Sequence, residues 1–252
     1  AHSEAYKKHP KVQLVAGCDK DLKTLARFSK SYPSVSCYDE FSEMIRNEKI
    51  DILSICTPEK ENLEIIKSLI KSNYKPKAIF CEKPLTTSSE NANYIAKVCR
   101  KNEIILCVNY MRRWETKYKE IKNLISSGSL GEVQSINAYG ASAMMTSASH
   151  LIDLALFFGG KPVWLIGSLQ EDYVRNVRGY DDHGAIALIC FENNSFFFLK
   201  ATSKSEKHYM FEFDIFLTEG RISISNDGQK VQVYKFDDIA SPVGSGYKSL
   251  VK

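Results

Sequence analysis

The chain has 252 residues, of which 44% are hydrophobic and 25% charged, and its formal net charge is +4. This composition is ordinary for a soluble globular protein, and the length allows one large domain or two moderate ones. The 34 basic and 30 acidic residues include no basic run, which argues against nucleic-acid binding, and no apolar segment reaches the ~18 residues of a membrane span.

The seven cysteines form no Cys-x-x-Cys pair. An odd number without a recognisable framework favours a reducing compartment. Cys18, Cys56 and Cys81 each end an apolar run, where a small buried thiol packs well. We therefore expect structural thiols, no metal site and a cytoplasmic protein.

The first half of the chain alternates apolar runs with segments of helical periodicity. Strands are predicted at 12–18, 50–56, 77–81 and 104–108, with helices at 21–30, 40–47, 62–72 and 86–101 between or after them. This alternation is typical of a parallel, doubly wound α/β sheet of the Rossmann type. Right-handed crossovers would place the carboxyl ends of all its strands at one edge.

A doubly wound dinucleotide fold begins with a central strand and a glycine-rich turn. The chain begins within the helix that should follow, and it contains no Gly-x-Gly-x-x-Gly. Without that strand the sheet would be split, so we expect the native chain to extend further toward its N terminus. Residues 241–252 show no terminating element, so C-terminal material is expected to be missing as well.

The pattern changes beyond Asn109. Helices are predicted at 114–127 and 150–158, and strands at 132–139, 163–170, 185–191, 195–201, 209–217, 221–225 and 230–236. Turn sequences such as Asn226-Asp227-Gly228 suit hairpins between these strands. We predict two domains: a dinucleotide-binding domain over 1–110, and an α+β domain over 111–252 whose large open sheet is mixed or antiparallel.

Glu82-Lys83-Pro84 ends the predicted strand 77–81. Ligands of open α/β sheets bind at the carboxyl edge, and a proline fits the end of a strand because it has no N–H for the ladder. The motif thus points two charges toward a ligand-binding edge. The alternative, a solvated Glu–Lys pair before a turn, fits the local sequence equally well.

Two other strand ends carry polar groups. Asp19 follows the first strand, where an acid accepts hydrogen bonds from the adenosine ribose and disfavours the 2′-phosphate of NADP; a helix cap is the alternative. Lys20 and Lys23 oppose that preference for NAD. Thr57 and Pro58 leave the next strand and could line a ribose or pyrophosphate, or form only a turn.

His150 and Asp153 lie on one face of a predicted helix, since positions three apart are neighbours. A histidine can act as general base near neutral pH, and the carboxylate could hold its ring. A structural histidine is the alternative. Arg112 and Arg113 could contact phosphate or sugar hydroxyls, or form surface ion pairs.

These motifs occur in a recognisable order, namely Cys18-Asp19, Thr57-Pro58, Glu82-Lys83-Pro84, Asn109-Tyr110-Met-Arg112-Arg113, Gly128-x-x-Gly131-Glu-Val and His150-Leu-Ile-Asp153. The order resembles the Gfo/Idh/MocA oxidoreductases over nearly the whole chain. The resemblance implies a Rossmann domain followed by an α+β domain, NAD or NADP as cofactor, and a sugar, polyol or sugar derivative as substrate. It also implies a homodimer or homotetramer formed through the open sheet.

The resemblance also implies roles for individual residues. Lys83 would polarise the reacting oxygen beside the nicotinamide, and His150 would exchange the hydroxyl proton. The implied cofactor contacts are Asp19, Thr57, Pro58, Asn62, Glu82 and Lys83, and the implied substrate contacts are Lys83, Asn109, Arg112, Arg113 and His150. Asp153 and Thr146 would support the histidine.

Two positions depart from the family pattern. Many members have an acid four residues before the catalytic histidine, where this chain has Thr146, and many have a histidine where it has Asn62. Two alternatives to a dehydrogenase stay open: a nucleotide-sensing regulator on the same fold, and a glycosidase that uses bound NAD in a redox-neutral cycle. The retained Lys83 and His150 favour the dehydrogenase.

Overall fold

The computed structural model divides the chain into two compact units, Ala1–Asn109 and Tyr110–Lys252. It describes residues 2–72, 74–141, 143–177, 179–202, 211–240 and 248–251. No helix within these ranges has the length and apolar composition needed to cross a membrane.

The first unit alternates strands and helices along its whole length. Its strands are β1 Ala16–Cys18, β2 Ser36–Tyr38, β3 Ile52–Ile55, β4 Ala78–Glu82 and β5 Ile105–Asn109, and its helices are α1 His2–Lys8, α2 Leu22–Ser31, α3 Phe41–Asn47, α4 Glu59–Lys71 and α5 Ser89–Lys101. Two of these helices have an N-cap residue whose side chain accepts hydrogen bonds from the first turn. Asp21 accepts hydrogen bonds from Lys23 and Thr24 N–H groups at the start of α2, and Ser88 accepts one from the Asn91 N–H at the start of α5.

These strands form two separate parallel sheets. β1 pairs with β2, and β3, β4 and β5 form a sheet in that order. The prediction of a parallel α/β unit is confirmed. The fully buried Ile66, Ile79 and Ile95 pack α4 and α5 against the β3–β4–β5 sheet.

A cavity of about 920 Å³ lies against both sheets, and every residue of β1 and β3 lines it. Residues 12–15, predicted to belong to the first strand, line the same cavity but precede β1. That prediction was too long at its start, because β1 pairs with β2 through Ala16, Gly17 and Cys18 only.

The second unit contains one large sheet and two long helices. Its strands are β6 Val133–Gly140, β7 Pro162–Val177, β8 Tyr180–Phe191, β9 Phe196–Ala201, β10 Phe211–Leu217, β11 Gly220–Ser225, β12 Lys230–Ala240 and β13 Lys248–Val251. Its helices are α6 Thr116–Ser126 and α7 Ser149–Gly159, preceded by a 3₁₀ turn at Met111–Trp114 and a π-helical turn at Met144–Ala148 respectively.

The sheet is mixed, as predicted. Its order is β13-β12-β11-β10-β6-β9-β8-β7, in which β6 and β9 are parallel and every other neighbouring pair is antiparallel. The predicted hairpin turn between β11 and β12 is present, and Asn226, Asp227 and Gly228 all have positive φ there. Asn, Asp and Gly tolerate that region best, so the local sequence favours this turn.

One face of the sheet packs against the helices. Ile121 of α6 and Leu151, Leu154 and Phe158 of α7 join a single core with buried strand residues such as Phe213. These side chains recur at helical spacing, so burying them fixes both helices against the sheet.

Several predicted boundaries in this unit were wrong. The predicted helix 114–127 is interrupted by the extended Glu115, and α6 begins only at Thr116. β7 and β8 extend beyond the apolar pattern because their backbones continue to pair through the polar segment from Val174 to Val177. Of residues 241–252, for which the sequence shows no terminating element, the described residues Lys248–Val251 form β13, which pairs with β12. Residues 209–210 of one predicted strand lie outside the described residues.

The opposite face of β7, β8 and β9 exposes apolar side chains in register across the strands. One row runs Phe198, Leu188 and Ile166, with the polar Asn137 of β6 at its end, and in the next row the buried Cys190 lies between Phe196 and Trp164. Phe198 is 47% exposed, Ile166 63% and Trp164 45%. A hollow of about 470 Å³ opens on this face. We call it the open apolar face.

Candidate active site

Glu82, the last residue of β4, is held by two side chains. His2 Nε2 lies 2.9 Å from Glu82 Oε1, and Asn109 Nδ2 donates to the same oxygen at 2.8 Å. Burial opposes ionisation of the carboxyl, but the hydrogen bonds from Asn109 and His2 outweigh it and hold the Glu82 pKa below its ordinary value. A fixed carboxylate therefore marks the carboxyl end of the middle strand.

His2 was interpreted from the sequence as an ordinary surface or core residue. In the structure its Nδ1 lies 2.9 Å from Ser54 Oγ and 3.4 Å from Cys56 Sγ, while its Nε2 contacts Glu82. The ring thus links the ends of β3 and β4. No local signal marks this role, because the partners lie 52 to 80 positions away in the sequence.

Lys83 directly follows this fixed carboxylate. Its backbone N–H donates to Glu82 Oε2 at 3.3 Å, and its side chain is half-buried. The Lys83–Pro84 peptide bond is cis. Lys83 therefore leaves the carboxyl edge of the sheet from a backbone that Glu82, His2 and Asn109 hold in place.

Asn62 is a fully buried residue that ties two strand ends together. Thr57 Oγ1 donates to Asn62 Oδ1 at 2.8 Å, and Asn62 Nδ2 donates to the Leu85 carbonyl at 2.9 Å. Both ends of the amide are therefore engaged within the protein. Asn62, Thr57 and Pro58 were all predicted to contact the cofactor. In the structure Asn62 is placed to position Thr57. Thr57 and Pro58 are exposed.

Asp19 follows β1 and is partly exposed at the rim of the large cavity. Its Oδ1 accepts a hydrogen bond from the Asp21 N–H at 2.9 Å, and Asp21, not Asp19, caps α2. The Asp19 carboxylate retains acceptor capacity for a ribose hydroxyl. Thr57 and Pro58 line the same cavity, so the residues present fit the ribose side of a dinucleotide.

In the second unit, His150 lies in the first turn of α7 and is 9% exposed. The Tyr110 ring meets it edge-on, with 5.7 Å between ring centroids. Burial, aided by the Asp153 charge, raises the pKa of the Tyr110 hydroxyl. His150 is thus held on α7 next to the Tyr110 ring.

Asp153 lies one turn after His150 and is paired with Arg113. Arg113 Nε donates to Asp153 Oδ2 at 2.7 Å, and Nη2 donates to the Asp153 carbonyl at 3.1 Å. Burial raises the Asp153 pKa, while the hydrogen bond and charge of Arg113 oppose that rise. Arg113, predicted as a substrate contact, therefore serves at least as the ion-pair partner of Asp153.

Arg112 packs differently. Its guanidinium lies 3.7 Å from the centroid of the Phe211 ring, and its Nη1 lies 3.9 Å from Glu115 Oε1. Its Nη1 also lies 3.5 Å from the Tyr118 hydroxyl. These contacts bind Arg112 to the core of its own unit.

Asp182 of β8 is a charged residue that the sequence reading missed. It is 1% exposed, and its two carboxylate oxygens accept hydrogen bonds from the Met145 N–H at 2.8 Å and the Thr146 N–H at 3.2 Å. These N–H groups begin the π-helical turn that leads into α7. Asp182 thereby caps the segment that carries His150, from a strand more than 30 residues later in the chain.

No group of three or more His, Cys, Asp or Glu side chains in the described ranges is arranged to hold a metal ion.

Residues 1–110 match the family model of the Gfo/Idh/MocA oxidoreductases, described as an oxidoreductase family with an NAD-binding Rossmann fold. The match covers 110 of the 252 residues and coincides with the first compact unit, Ala1–Asn109. It agrees with the resemblance drawn from the Glu82-Lys83-Pro84 motif, which lies within these residues. It also gives the cofactor class of the first unit, because the matched family is an NAD-binding one.

Individual relatives of this chain are distant in sequence. The D-glucoside 3-dehydrogenase of Escherichia coli is 23% identical over 179 residues, covering 71% of this chain and 50% of that protein. The inositol 2-dehydrogenase of Salmonella typhimurium is 24% identical over 123 residues, covering 48% of this chain and 36% of that protein. The chain thus spans half or less of the length of these two curated relatives.

The fold likeness extends further than the sequence likeness. The crystal structure of the WlbA dehydrogenase from Bordetella pertussis in complex with NADH and UDP-GlcNAcA has a TM-score of 0.80 at 16% identity. The match covers 98% of this chain and 80% of that one. Both units therefore have the folds found in that dehydrogenase.

Proposed function

We propose that this chain is an NAD(P)-dependent dehydrogenase or reductase that acts on a hydroxyl or carbonyl group of a sugar, polyol or sugar derivative. The observation that carries the proposal is the end of β4, where the fixed Glu82 carboxylate immediately precedes Lys83 in a unit of an NAD-binding family. The dehydrogenase relatives named above act on glucosides and inositol according to their names, which supports the substrate class.

The first unit, residues 1–110, would bind the dinucleotide. Asp19 accepts hydrogen bonds from the ribose hydroxyls, and its charge favours NAD over the 2′-phosphate of NADP. Thr57, Pro58 and Glu82 would contact the dinucleotide at the carboxyl edge of the sheet. Asn62 holds Thr57 in position there. When bound, the nicotinamide supplies the site that gives or accepts the hydride.

Two side chains of this chain would handle the reacting oxygen and its proton. The Lys83 ammonium donates a hydrogen bond to the substrate oxygen and stabilises the charge that develops on it. A ring nitrogen of His150 takes the hydroxyl proton in oxidation and returns it in reduction. Asp153 and the turn at Thr146 hold the helix that carries the histidine, and Asn109, Arg112 and Arg113 complete the proposed substrate residues.

The second unit, residues 111–252, would bind the substrate and form a homodimer or homotetramer. The support for self-association is the open apolar face, where Phe198 of β9 and Ile166 and Trp164 of β7 stay exposed on either side of β8. Contiguous exposed apolar patches on a folded protein mark interaction sites. A second copy offers the same face, so a symmetric contact can bury both at once.

The test is an assay of NADH formation with glucosides, inositols and nucleotide sugars, together with the NAD dissociation constant. Lys83→Met and His150→Asn should each lower kcat about 100-fold or more. The dissociation constant for NAD should stay within about threefold, because neither change removes a ribose contact. Turnover by Lys83→Met at the unchanged rate would contradict the role given to the lysine.

Matched controls separate the loss of a site group from a general loss of charge. Lys77 precedes the opposite end of β4 and pairs with Asp51 at 2.8 Å on the surface. His9 is an exposed histidine just beyond α1. Lys77→Met and His9→Asn should leave kcat unchanged, because neither side chain is placed at the proposed site.

A further inference from the structure

Four side chains of the first unit form a chain of hydrogen bonds that ends on Glu82. Tyr6 Oη lies 2.7 Å from Ser54 Oγ, and Ser54 Oγ lies 2.9 Å from His2 Nδ1. His2 Nε2 in turn lies 2.9 Å from Glu82 Oε1. Tyr6 and His2 belong to α1, and Ser54 belongs to β3. We call Tyr6, Ser54 and His2 the relay, because they connect a helix and a strand to the carboxyl end of β4.

The ionised Glu82 carboxylate sets the direction of these hydrogen bonds. Burial raises the Glu82 pKa, but the hydrogen bonds from Asn109 and His2 outweigh burial and keep the pKa below its ordinary value. An ionised carboxylate only accepts, so His2 Nε2 carries a proton and donates it. In a neutral imidazole the other nitrogen accepts, so His2 Nδ1 accepts from the Ser54 hydroxyl, and Ser54 Oγ accepts from the Tyr6 hydroxyl.

The His2 ring is held in one orientation. Its side chain is 12% exposed, and the ring lies against the Phe80 ring with 4.8 Å between the two centroids. Cys56 Sγ lies 3.4 Å from the same Nδ1. Burial raises the pKa of the Cys56 thiol, so the thiol stays protonated and adds only a second, weak donor there. These contacts favour one tautomer of His2, with the proton on Nε2.

The relay gives the two carboxylate oxygens of Glu82 different roles. Oε1 accepts hydrogen bonds from His2 Nε2 at 2.9 Å and from Asn109 Nδ2 at 2.8 Å. Within the part of the chain that the structure describes, Oε2 accepts only the Lys83 backbone N–H, at 3.3 Å. Each carboxylate oxygen has about two lone-pair sites, so Oε1 is filled and Oε2 keeps one. The Glu82 side chain is 38% exposed, so a donor from outside the protein can reach Oε2.

We propose that Tyr6, Ser54 and His2 are positioning residues for dinucleotide binding. By holding Oε1 of Glu82 within the protein, the relay leaves Oε2 to accept a hydrogen bond from a hydroxyl or amide N–H group of the bound dinucleotide. The relay acts through Glu82 and not on the reacting atoms. The inference rests on the Glu82 cofactor contact of the proposed function, but it requires no turnover of a sugar.

Nuclear magnetic resonance tests the direction of the relay. Nitrogen spectra of the histidine rings should show the His2 proton on Nε2, with Nδ1 unprotonated. Carbon spectra of the Glu82 carboxyl group should show a higher pKa in His2→Phe than in the unchanged chain, because the carboxylate loses a donor. The phenylalanine keeps an aromatic ring against Phe80. A proton on His2 Nδ1 would overturn the assigned direction.

Titration with NADH, followed by nucleotide fluorescence, tests the consequence for binding. His2→Phe should weaken NADH binding about tenfold or more, because the charge-assisted hydrogen bond that fixes Glu82 is lost. His2→Gln should bind NADH within about threefold of the unchanged chain, since an amide also offers a donor and an acceptor. A residue that only packs α1 against the sheet would show no such rescue by glutamine.

A double-mutant cycle tests whether the relay acts as one unit. Ser54→Ala alone should weaken NADH binding about threefold or more, because His2 Nδ1 loses its donor. Added to His2→Phe, the same change should cause no further loss, since Ser54 acts on Glu82 through the His2 ring. Tyr6→Phe should follow the same pattern. Ser54→Ala and Tyr6→Phe carry the test if His2→Phe does not fold.

Matched controls remove similar groups elsewhere in the first unit. The Tyr38 hydroxyl of β2 donates to Glu48 at 2.9 Å, and His9 is an exposed histidine. Tyr38→Phe and His9→Phe should leave NADH binding unchanged, because both side chains lie outside the relay.

Three binding results would overturn the proposal. They are an unchanged chain that does not bind NADH, a His2→Phe variant that binds NADH as tightly as the unchanged chain, and losses in Ser54→Ala and His2→Phe that add in full. Failure of the proposed function is distinguishable from these results. Turnover of a sugar with unchanged NADH affinity in His2→Phe would remove only the relay, whereas the expected affinity losses without any turnover would remove only the dehydrogenase.

Discussion

The Arg113 guanidinium donates two hydrogen bonds to Asp153, one to the carboxylate and one to the backbone carbonyl. Arg113 lies within the 3₁₀ turn Met111–Trp114 near the start of the second unit, and Asp153 lies in the middle of α7, one turn beyond His150. The side chain of Asp153 is 11% exposed and that of Arg113 36%. The pair therefore anchors the histidine-bearing helix to the segment that begins the unit.

The first prediction concerns this pair. Arg113→Met should lower the free energy of unfolding by about 1–3 kcal/mol, because it leaves a mostly buried carboxylate without its charged partner. Urea denaturation followed by circular dichroism measures the change. Lys161→Met is the control, since the Lys161–Glu192 pair is exposed and surface pairs contribute about 0–1 kcal/mol. Equal losses in both variants would contradict the anchoring role.

The second prediction concerns Asp182. Asp182→Asn replaces one acceptor oxygen by an N–H₂ group that faces backbone donors, so the turn at Met145 and Thr146 should loosen. Hydrogen exchange at these two amides should accelerate about tenfold or more, and kcat should fall with a smaller change in KM. The adjacent Asp181 is exposed, and Asp181→Asn should change neither quantity. Unchanged exchange in Asp182→Asn would show that the carboxylate does not hold the turn.

The third prediction is a pH dependence. The Glu82 pKa is lower in the folded chain than its ordinary value of 4.5, so the stabilisation by the ionised carboxylate is fully present above that value. It is lost as pH falls through the lower, folded pKa. The Glu82→Gln variant should therefore be less stable than the unchanged chain at neutral pH. This difference in the free energy of unfolding should disappear in acid.

Urea midpoints measured across the acid range test this dependence. Glu64→Gln is the control, because Glu64 is 69% exposed and pairs with Lys67 on the surface of α4. Its stability difference should stay small at every pH. A Glu82→Gln difference that persists unchanged below the folded pKa would contradict the assignment.

The fourth prediction concerns the open apolar face. Phe198→Glu and Ile166→Glu place charges on β9 and β7, on either side of β8. Each should weaken self-association about tenfold or more in dissociation constant. Sedimentation velocity measures the shift. Leu22→Glu is the control, because Leu22 is 64% exposed on α2 and lies outside the face. A monomeric unchanged chain would contradict the proposed assembly.

The sequence predicted the features that depend on local patterns. The apolar runs of β3, β4 and β5 and the positive-φ turn at Asn226-Asp227-Gly228 are local signals, because side-chain periodicity and turn chemistry act over a few residues. The strand-end position of Glu82 followed from the same pattern. Element boundaries were less accurate, since backbone pairing carried β7 and β8 past their apolar residues.

Contacts between distant residues could not be predicted in this way. His2 and Glu82 are 80 positions apart, and Asp182 and Thr146 are 36 apart. Neither His2 nor Asp182 belongs to a distinctive local sequence motif. Their partners come close to them only when the chain folds. The pairing of Arg113 with Asp153, which are 40 positions apart, falls in the same class.

The parallel pairing of β6 with β9 also has a kinetic consequence. Because β6 lies between β9 and β10 in the sheet, its two neighbours come from segments that begin at Phe196 and Phe211, far later in the chain. Closing such long loops costs chain entropy before any strand contact is gained, and high contact order slows folding. We expect the hairpins β7–β8 and β10–β11 to form early. The pairing of β6 with β9 on one side and β10 on the other should then limit the folding rate of the second unit.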